Sequence, residues 1–211
     1  MEPISDHIKY LRPHLLHDSP RSQVVRCAFR DSRGGGSETQ RCVLKFFPAE
    51  LRSAFEREVA IYRLLSESKD DRLRYARPFG FGEWTNAKYQ QVIGRKITPL
   101  ETTSTNRVYA LMLEYLEATV PTSNISPELA RSVLSSLESL HKLGIVHGDI
   151  SASNVLLLPD VAASESAVWI DFSYSWTDAS NKQRLLERDR AIKYFAGLVF
   201  YTRLPGWSNC P

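Results

Sequence analysis

The sequence predicts an α+β protein, because its two halves carry different periodicities. From Gln23 to Leu116 short apolar runs alternate with turn residues, whereas from Ser126 to Phe200 apolar residues recur at helical spacing. One helical stretch, Ala54 to Leu65, interrupts the first half, and Ala118 to Ile125, with Pro121, is a linker where the composition changes. The expected organisation is a strand-rich part over 1–117 and a helical part over 118–211.

Composition narrows the class. The 211 residues are 43% hydrophobic and 24% charged, which is the profile of a folded globular chain. A net charge of +3, scattered along the chain, gives no reason to expect nucleic acid or a membrane surface as a partner. The apolar run from Ala191 to Tyr201 is broken by Lys193 and too short for a bilayer. Met1 to Ser5 lacks the basic and apolar regions of a signal peptide. Cys27, Cys42 and Cys210 show neither a disulfide framework nor zinc spacing. A reducing, cytoplasmic setting is therefore expected.

Taken in order, residues 1–22 are polar and hold Pro13 and Pro20. His7, His14 and His17 have no metal-spaced acidic or cysteine partners, so they are expected on the surface of a short helix. Gln23 to Phe29 and Arg41 to Phe47 read as two strands of a hairpin, joined by turn chemistry at Asp31 to Ser37. The triplet Gly34 to Gly36 fits neither common phosphate-cradle pattern. Alternation puts Lys45 on one face with Val43 and Phe47, and an inward ammonium needs an anionic partner. In the helix that follows, Phe55, Val59, Tyr62 and Leu65 or Ile61 form the apolar face, with Glu58 at its edge and Glu56 opposite. Tyr75 to Trp84 and Val108 to Leu116 are expected strands, separated by a long polar loop over 85–106. Ser126 caps a helix that begins at Pro127, and Gly144 stops it. A last helix is expected from about Gln183 to Phe200.

Between those two helices lies the chemistry. His147-Gly148-Asp149 is followed by Asn154 in a turn rich in Gly and Ser, and a short apolar strand delivers Asp171-Phe172-Ser173. Two carboxylates and an amide are hard oxygen donors of the kind that suit Mg²⁺.

Strand lysine, helix glutamate, HGDxxxxN and hydrophobic-DF, in this order, resemble the protein kinase-like superfamily from about Val24 to Val199. The HGD and DFS variants are similar to small fungal kinase-like proteins, to the small kinases of the KEOPS complex, and to aminoglycoside and choline kinases. The resemblance implies a bilobal fold with a reduced N-lobe sheet and a truncated helical C-lobe. It implies ATP and Mg²⁺ as cofactors. Lys45 would hold the α- and β-phosphates and Glu58 would orient it. Asp149 would take or orient the acceptor's proton, and Asn154 and Asp171 would bind Mg²⁺. Leu113 would be the gatekeeper, with Glu114 to Leu116 as the hinge facing adenine. Asp189 would buttress the catalytic loop, and His147 would be structural.

The chain departs from the pattern in four places. No glycine occurs around Arg21 to Ala28, where the phosphate loop is expected. Gly148 replaces an arginine that reads a phosphorylated activation loop, and Ser173 replaces a glycine. Little room follows Asp171 for a peptide-docking platform, and a protein partner is expected to cover the shortened C-lobe. The implied activity is phosphotransfer to an alcohol, serine/threonine-type if the acceptor is a protein; the sequence leaves the acceptor open. A pseudokinase scaffold and a small-molecule kinase stay open as alternatives.

Overall fold

The computed structural model describes residues 2–31, 39–70, 73–94, 97–100, 106–122, 125–159 and 166–200. The turn expected with the glycine triplet falls, from Ser32 onward, outside them, as does Cys210. The chain divides into two compact units, Met1–Ser66 with Ala76–Tyr115, and Glu67–Tyr75 with Leu116–Pro211.

The first unit is built on an antiparallel sheet of β1 (Ile8–Asp18), β2 (Gln23–Asp31), β3 (Gln40–Pro48), β4 (Pro78–Thr85) and β5 (Arg107–Glu114), in the order β1-β2-β3-β5-β4. Side chains alternate across it. One face of β2, β3 and β5 carries Val25, Cys27, Cys42, Leu44, Phe46, Ala110 and Met112, all buried. The other carries Val43, Lys45 and Phe47 beneath α1 (Arg52–Glu67), whose Phe55 ring meets Phe47 edge-on and stacks on Tyr109.

Two expectations fail in this unit. Residues 8–18 form β1, not a helix: Pro13, Arg12 at φ 53° and register shifts at Leu11/His14 and Leu15/His17 disrupt the alternation that marks a strand. His7, His14 and His17 are nevertheless exposed. The expected loop over 85–106 contains α2 (Asn86–Ile93). Thr85 caps it by accepting from the Lys88 N–H, and Gly94 at φ 70° ends it. Tyr89, Val92 and Ile93 bury one short face against the Cys27 and Phe46 side of the sheet, and the Tyr89 hydroxyl donates to Gln23 Oε1 at 2.6 Å.

The N-terminal stretch reaches both sides of the sheet. While β1 pairs with β2, the Ile4 N–H donates to Phe81 O (2.9 Å) and the Phe81 N–H to Glu2 O (3.2 Å), so residues 2–4 line β4. A Cβ on Gly80 would lie 2.9 Å from Glu2 O, which explains the glycine there.

The second unit is mainly helical, with α3 (Pro127–Lys142), α4 (Asn181–Phe200) and the two-stranded ribbon β6 (Val155–Leu157) with β7 (Ala167–Trp169). Ser126 accepts from the Leu129 N–H at the head of α3. At its foot Gly144, at φ 78°, donates to His141 O and the Ile145 N–H to Leu140 O, the paired bonds of a Schellman ending. Thr119, from the expected linker, bridges Leu157.

Candidate active site

In the first unit, the lysine and glutamate singled out by sequence meet. Lys45 Nζ lies 2.7 Å from Glu58 Oε2, with the two residues 5% and 0% exposed. Strand alternation aims Lys45 at the α1 side, where its ammonium also lies 5.0 Å from the centre of the Phe47 ring. Glu58 sits among the buried residues of α1, while Glu56 faces out and bonds Arg52. Burying both charges is costly, and removing either partner is destabilising.

Leu113 is buried at the end of β5, and Glu114 and Leu116 are half-buried. The Glu114 N–H is already bound to Arg77 O at 2.8 Å, so among the expected hinge groups that donor is engaged. Tyr115 lies between Arg26 and Arg41, whose guanidinium carbons stand 5.4 and 5.3 Å from its ring centre. The stretch from Arg21 to Ala28, where the phosphate loop is expected, belongs largely to β2, and the turn before it is Ser19 to Ser22. There Ser19 Oγ accepts from the N–H groups of Arg21 (3.3 Å) and Ser22 (3.1 Å), which turns both amides inward on the turn itself.

In the second unit, α3 and its glycine ending launch the loop that carries Asp149 and Asn154. Val146 exchanges two backbone bonds with Trp176, at 3.0 and 3.1 Å. That pairing presses Tyr174 to Trp176 against Gly148, which lies at φ 84°; a Cβ there would sit 2.3 Å from Tyr174 O. The HGD glycine is therefore required by its own surroundings, independently of any lost phosphate-reading arginine.

His147 is buried and pinned at every polar atom. Its N–H donates to Glu187 Oε2 (2.9 Å), its carbonyl accepts from Ser175 Oγ (2.8 Å), and its ring packs on Trp169 and Phe172. Nε2 faces Ile170 O at 2.9 Å and Nδ1 accepts from the Asp149 N–H at 3.3 Å, so the proton belongs on Nε2 of a neutral ring. Burial lowers its pKa from the usual 6.5, outweighing the opposite pull of Ile170 and nearby carboxylates.

The buttress is Glu187, not the expected Asp189, which is exposed. Besides His147, its carboxylate accepts from the Gly148 N–H (2.6 Å) and from His141 Nε2 (2.8 Å). Burial works to raise the Glu187 pKa, but these donors prevail and hold it below the usual carboxylate value. No local motif announces Glu187, since its partners lie about 40 residues away in the chain.

Asn154 Nδ2 donates to the Asp149 carbonyl (3.0 Å) and to Asp149 Oδ2 (2.8 Å), which turns the amide oxygen of Asn154 the other way. The Ile170 N–H donates to Asn154 O at 2.9 Å, tying the end of β7 to this loop. Asp171 takes a left-handed conformation (φ 62°, ψ 75°) ahead of a short 3₁₀ turn, Phe172–Tyr174. Ser173 is not the strained position: its N–H (3.3 Å) and hydroxyl (2.7 Å) both donate to Asp171 Oδ1 and orient the carboxylate. Asp171 and Asn154 thus offer oxygen donors fit for Mg²⁺. Among the described residues no group of three His, Cys, Asp or Glu could hold a metal ion.

Acid should loosen this unit. The unfolded imidazole takes a proton near pH 6.5, whereas His147 in the folded chain does so only at lower pH, so the unfolded state binds more protons in that interval. Stability is expected to fall as pH drops below about 6.5, and again below the usual glutamate range as Glu187 protonates. Urea midpoints measured from pH 7.5 down to about 2.5 check both parts. The first part of the decline should be absent in His147→Asn.

The five-stranded antiparallel sheet of one unit and the helices of the other make the chain α+β, consistent with a kinase-like fold. Over 76 residues the chain is similar to three curated proteins, each named probable bifunctional tRNA threonylcarbamoyladenosine biosynthesis protein. They come from Methanosarcina acetivorans (36% identical), Methanosarcina mazei (34%) and Methanosarcina barkeri (32%). The match takes in 36% of this chain and 13% of the length of each relative. No family model matches the chain. Among the described residues no helix is long and apolar enough to cross a membrane.

Proposed function

We propose that the chain is an ATP- and Mg²⁺-dependent phosphotransferase of serine/threonine type, acting with protein partners. The observation that carries this reading is the buried Lys45–Glu58 pair at 2.7 Å. A buried ion pair is seldom the most stable way to fill a core, and a glutamate-held lysine is what phosphate positioning needs. Lys45 binds the α- and β-phosphates. Asp149, held by Asn154, accepts the proton of an acceptor hydroxyl as the oxygen bonds to the γ-phosphorus and the bond to the β-phosphate oxygen breaks, releasing ADP. Asn154 and Asp171 would hold Mg²⁺, which when bound neutralises phosphate charge.

The relatives' name supports testing this activity in tRNA threonylcarbamoyladenosine biosynthesis. A second reading, a nucleotide-binding scaffold, is favoured by the Ser19 turn, whose amides are spent internally. The two separate on Asp149→Ala. ATP turnover with Mg²⁺ should fall by at least about 100-fold while the thermal shift with ATP and Mg²⁺ persists; that shift should vanish in Lys45→Met and Asp171→Ala. Turnover unchanged in Asp149→Ala would overturn the phosphotransferase reading.

A further inference from the structure

We propose that Cys27 and Cys42 form a reversible oxidation site, a cross-strand dithiol that closes to a disulfide and staples β2 to β3. Neither residue belongs to the machinery described above. Each is directly opposite the other in the β2–β3 register, and their Sγ atoms lie 3.3 Å apart. Residues facing each other on antiparallel strands have Cα atoms roughly 4.5–5.5 Å apart. That range falls inside the roughly 4.4–6.8 Å window a disulfide accepts, so the bond can form with side-chain movement alone.

Both thiols are free in the resting protein, and they are 2% and 0% exposed. The flanking Val25, Leu44 and Phe46 are buried with them. Hydrogen bonding to Cys27, and then burial, push the Cys42 pKa upward, so the Cys42 thiol is slow to react. Oxidation therefore awaits an opening of the strand pair and a small oxidant such as hydrogen peroxide. One thiolate attacks the peroxide, breaking its O–O bond, and becomes a sulfenic acid as hydroxide leaves. The second thiol, already in contact, then displaces the sulfenic oxygen as water. Two thiols and one peroxide give one disulfide and two waters. A nearby resolving thiol also protects the first sulfur from further oxidation.

The test treats the folded full-length chain with hydrogen peroxide, then blocks remaining thiols with N-ethylmaleimide after unfolding and maps peptides. Expected is a Cys27–Cys42 cross-link, with a mass lower by two hydrogens, that dithiothreitol reverses. Closing a loop of roughly 15 residues should raise the melting temperature by about 5–10 °C, an effect absent in Cys42→Ala. The mapping needs no variant, so it decides the matter even if Cys42→Ala folds poorly. Cys27 and Cys42 recovered with separate maleimide labels, as sulfinic acids, or joined to Cys210 would overturn the proposal.

Discussion

Gly148→Ala is expected to destabilise the protein by about 3 kcal/mol or more. The left-handed backbone costs a residue with a Cβ about 1–2 kcal/mol, and forcing atoms into a packed site adds about 1–3 kcal/mol. Both penalties fall together here, because the added carbon would stand 2.3 Å from Tyr174 O and 2.9 Å from the Trp176 ring. Backbone cannot yield as a flexible side chain can. Urea unfolding of the two proteins measures the difference. Gly148→Arg, which restores the arginine of the commoner HRD pattern, should do at least as much harm. An equally stable arginine variant would show that the Tyr174–Trp176 segment does not confine this position.

Glu58→Ala is expected to lose about 3–5 kcal/mol, the usual cost of breaking a buried ion pair by removing one partner. Lys45 cannot easily reach water, being 5% exposed at a central strand of the sheet. Replacing both partners by apolar residues, as in Lys45→Met with Glu58→Leu, should recover much of that loss while abolishing any magnesium-dependent response to ATP. Denaturation midpoints of the two singles and the double close the cycle. A Glu58→Ala protein as stable as the double variant would mean that Lys45 finds equivalent compensation elsewhere.

What could be read from the residues was whatever a short string or a regular alternation encodes. Lys45 is located by its strand, Asp149, Asn154 and Asp171 by fixed spacing, and α3 by a serine cap and a glycine ending. Features made by distant pairings stayed hidden. Glu187 resembles any acid on an exposed helix until His147 and Gly148 are brought to it, and Asp189 two positions on looked as suitable. Strand β1 escaped because its bulges and Pro13 break the alternation. Helix α2 escaped because only Tyr89, Val92 and Ile93 mark its buried face, although Thr85 and Gly94 already stood at its ends. The Cys27–Cys42 contact depends on strand register, which composition and spacing do not report.

The N-terminal stretch, bonded to β2 by residues 8–18 and to β4 by residues 2–4, has a consequence for the order in which the molecule can assemble. Pro3 bridges Phe81, so residues 2–4 wait for roughly 80 more before that partner exists, or roughly 4–16 s at ordinary rates of synthesis. Contacts of such long range also close late in refolding, because the intervening chain must surrender its freedom first. Until then β4 presents open backbone along one side, a surface on which nascent chains can pair with one another. The clasp is among the long-range contacts of its unit, and until it closes this edge of β4 is open to misassembly.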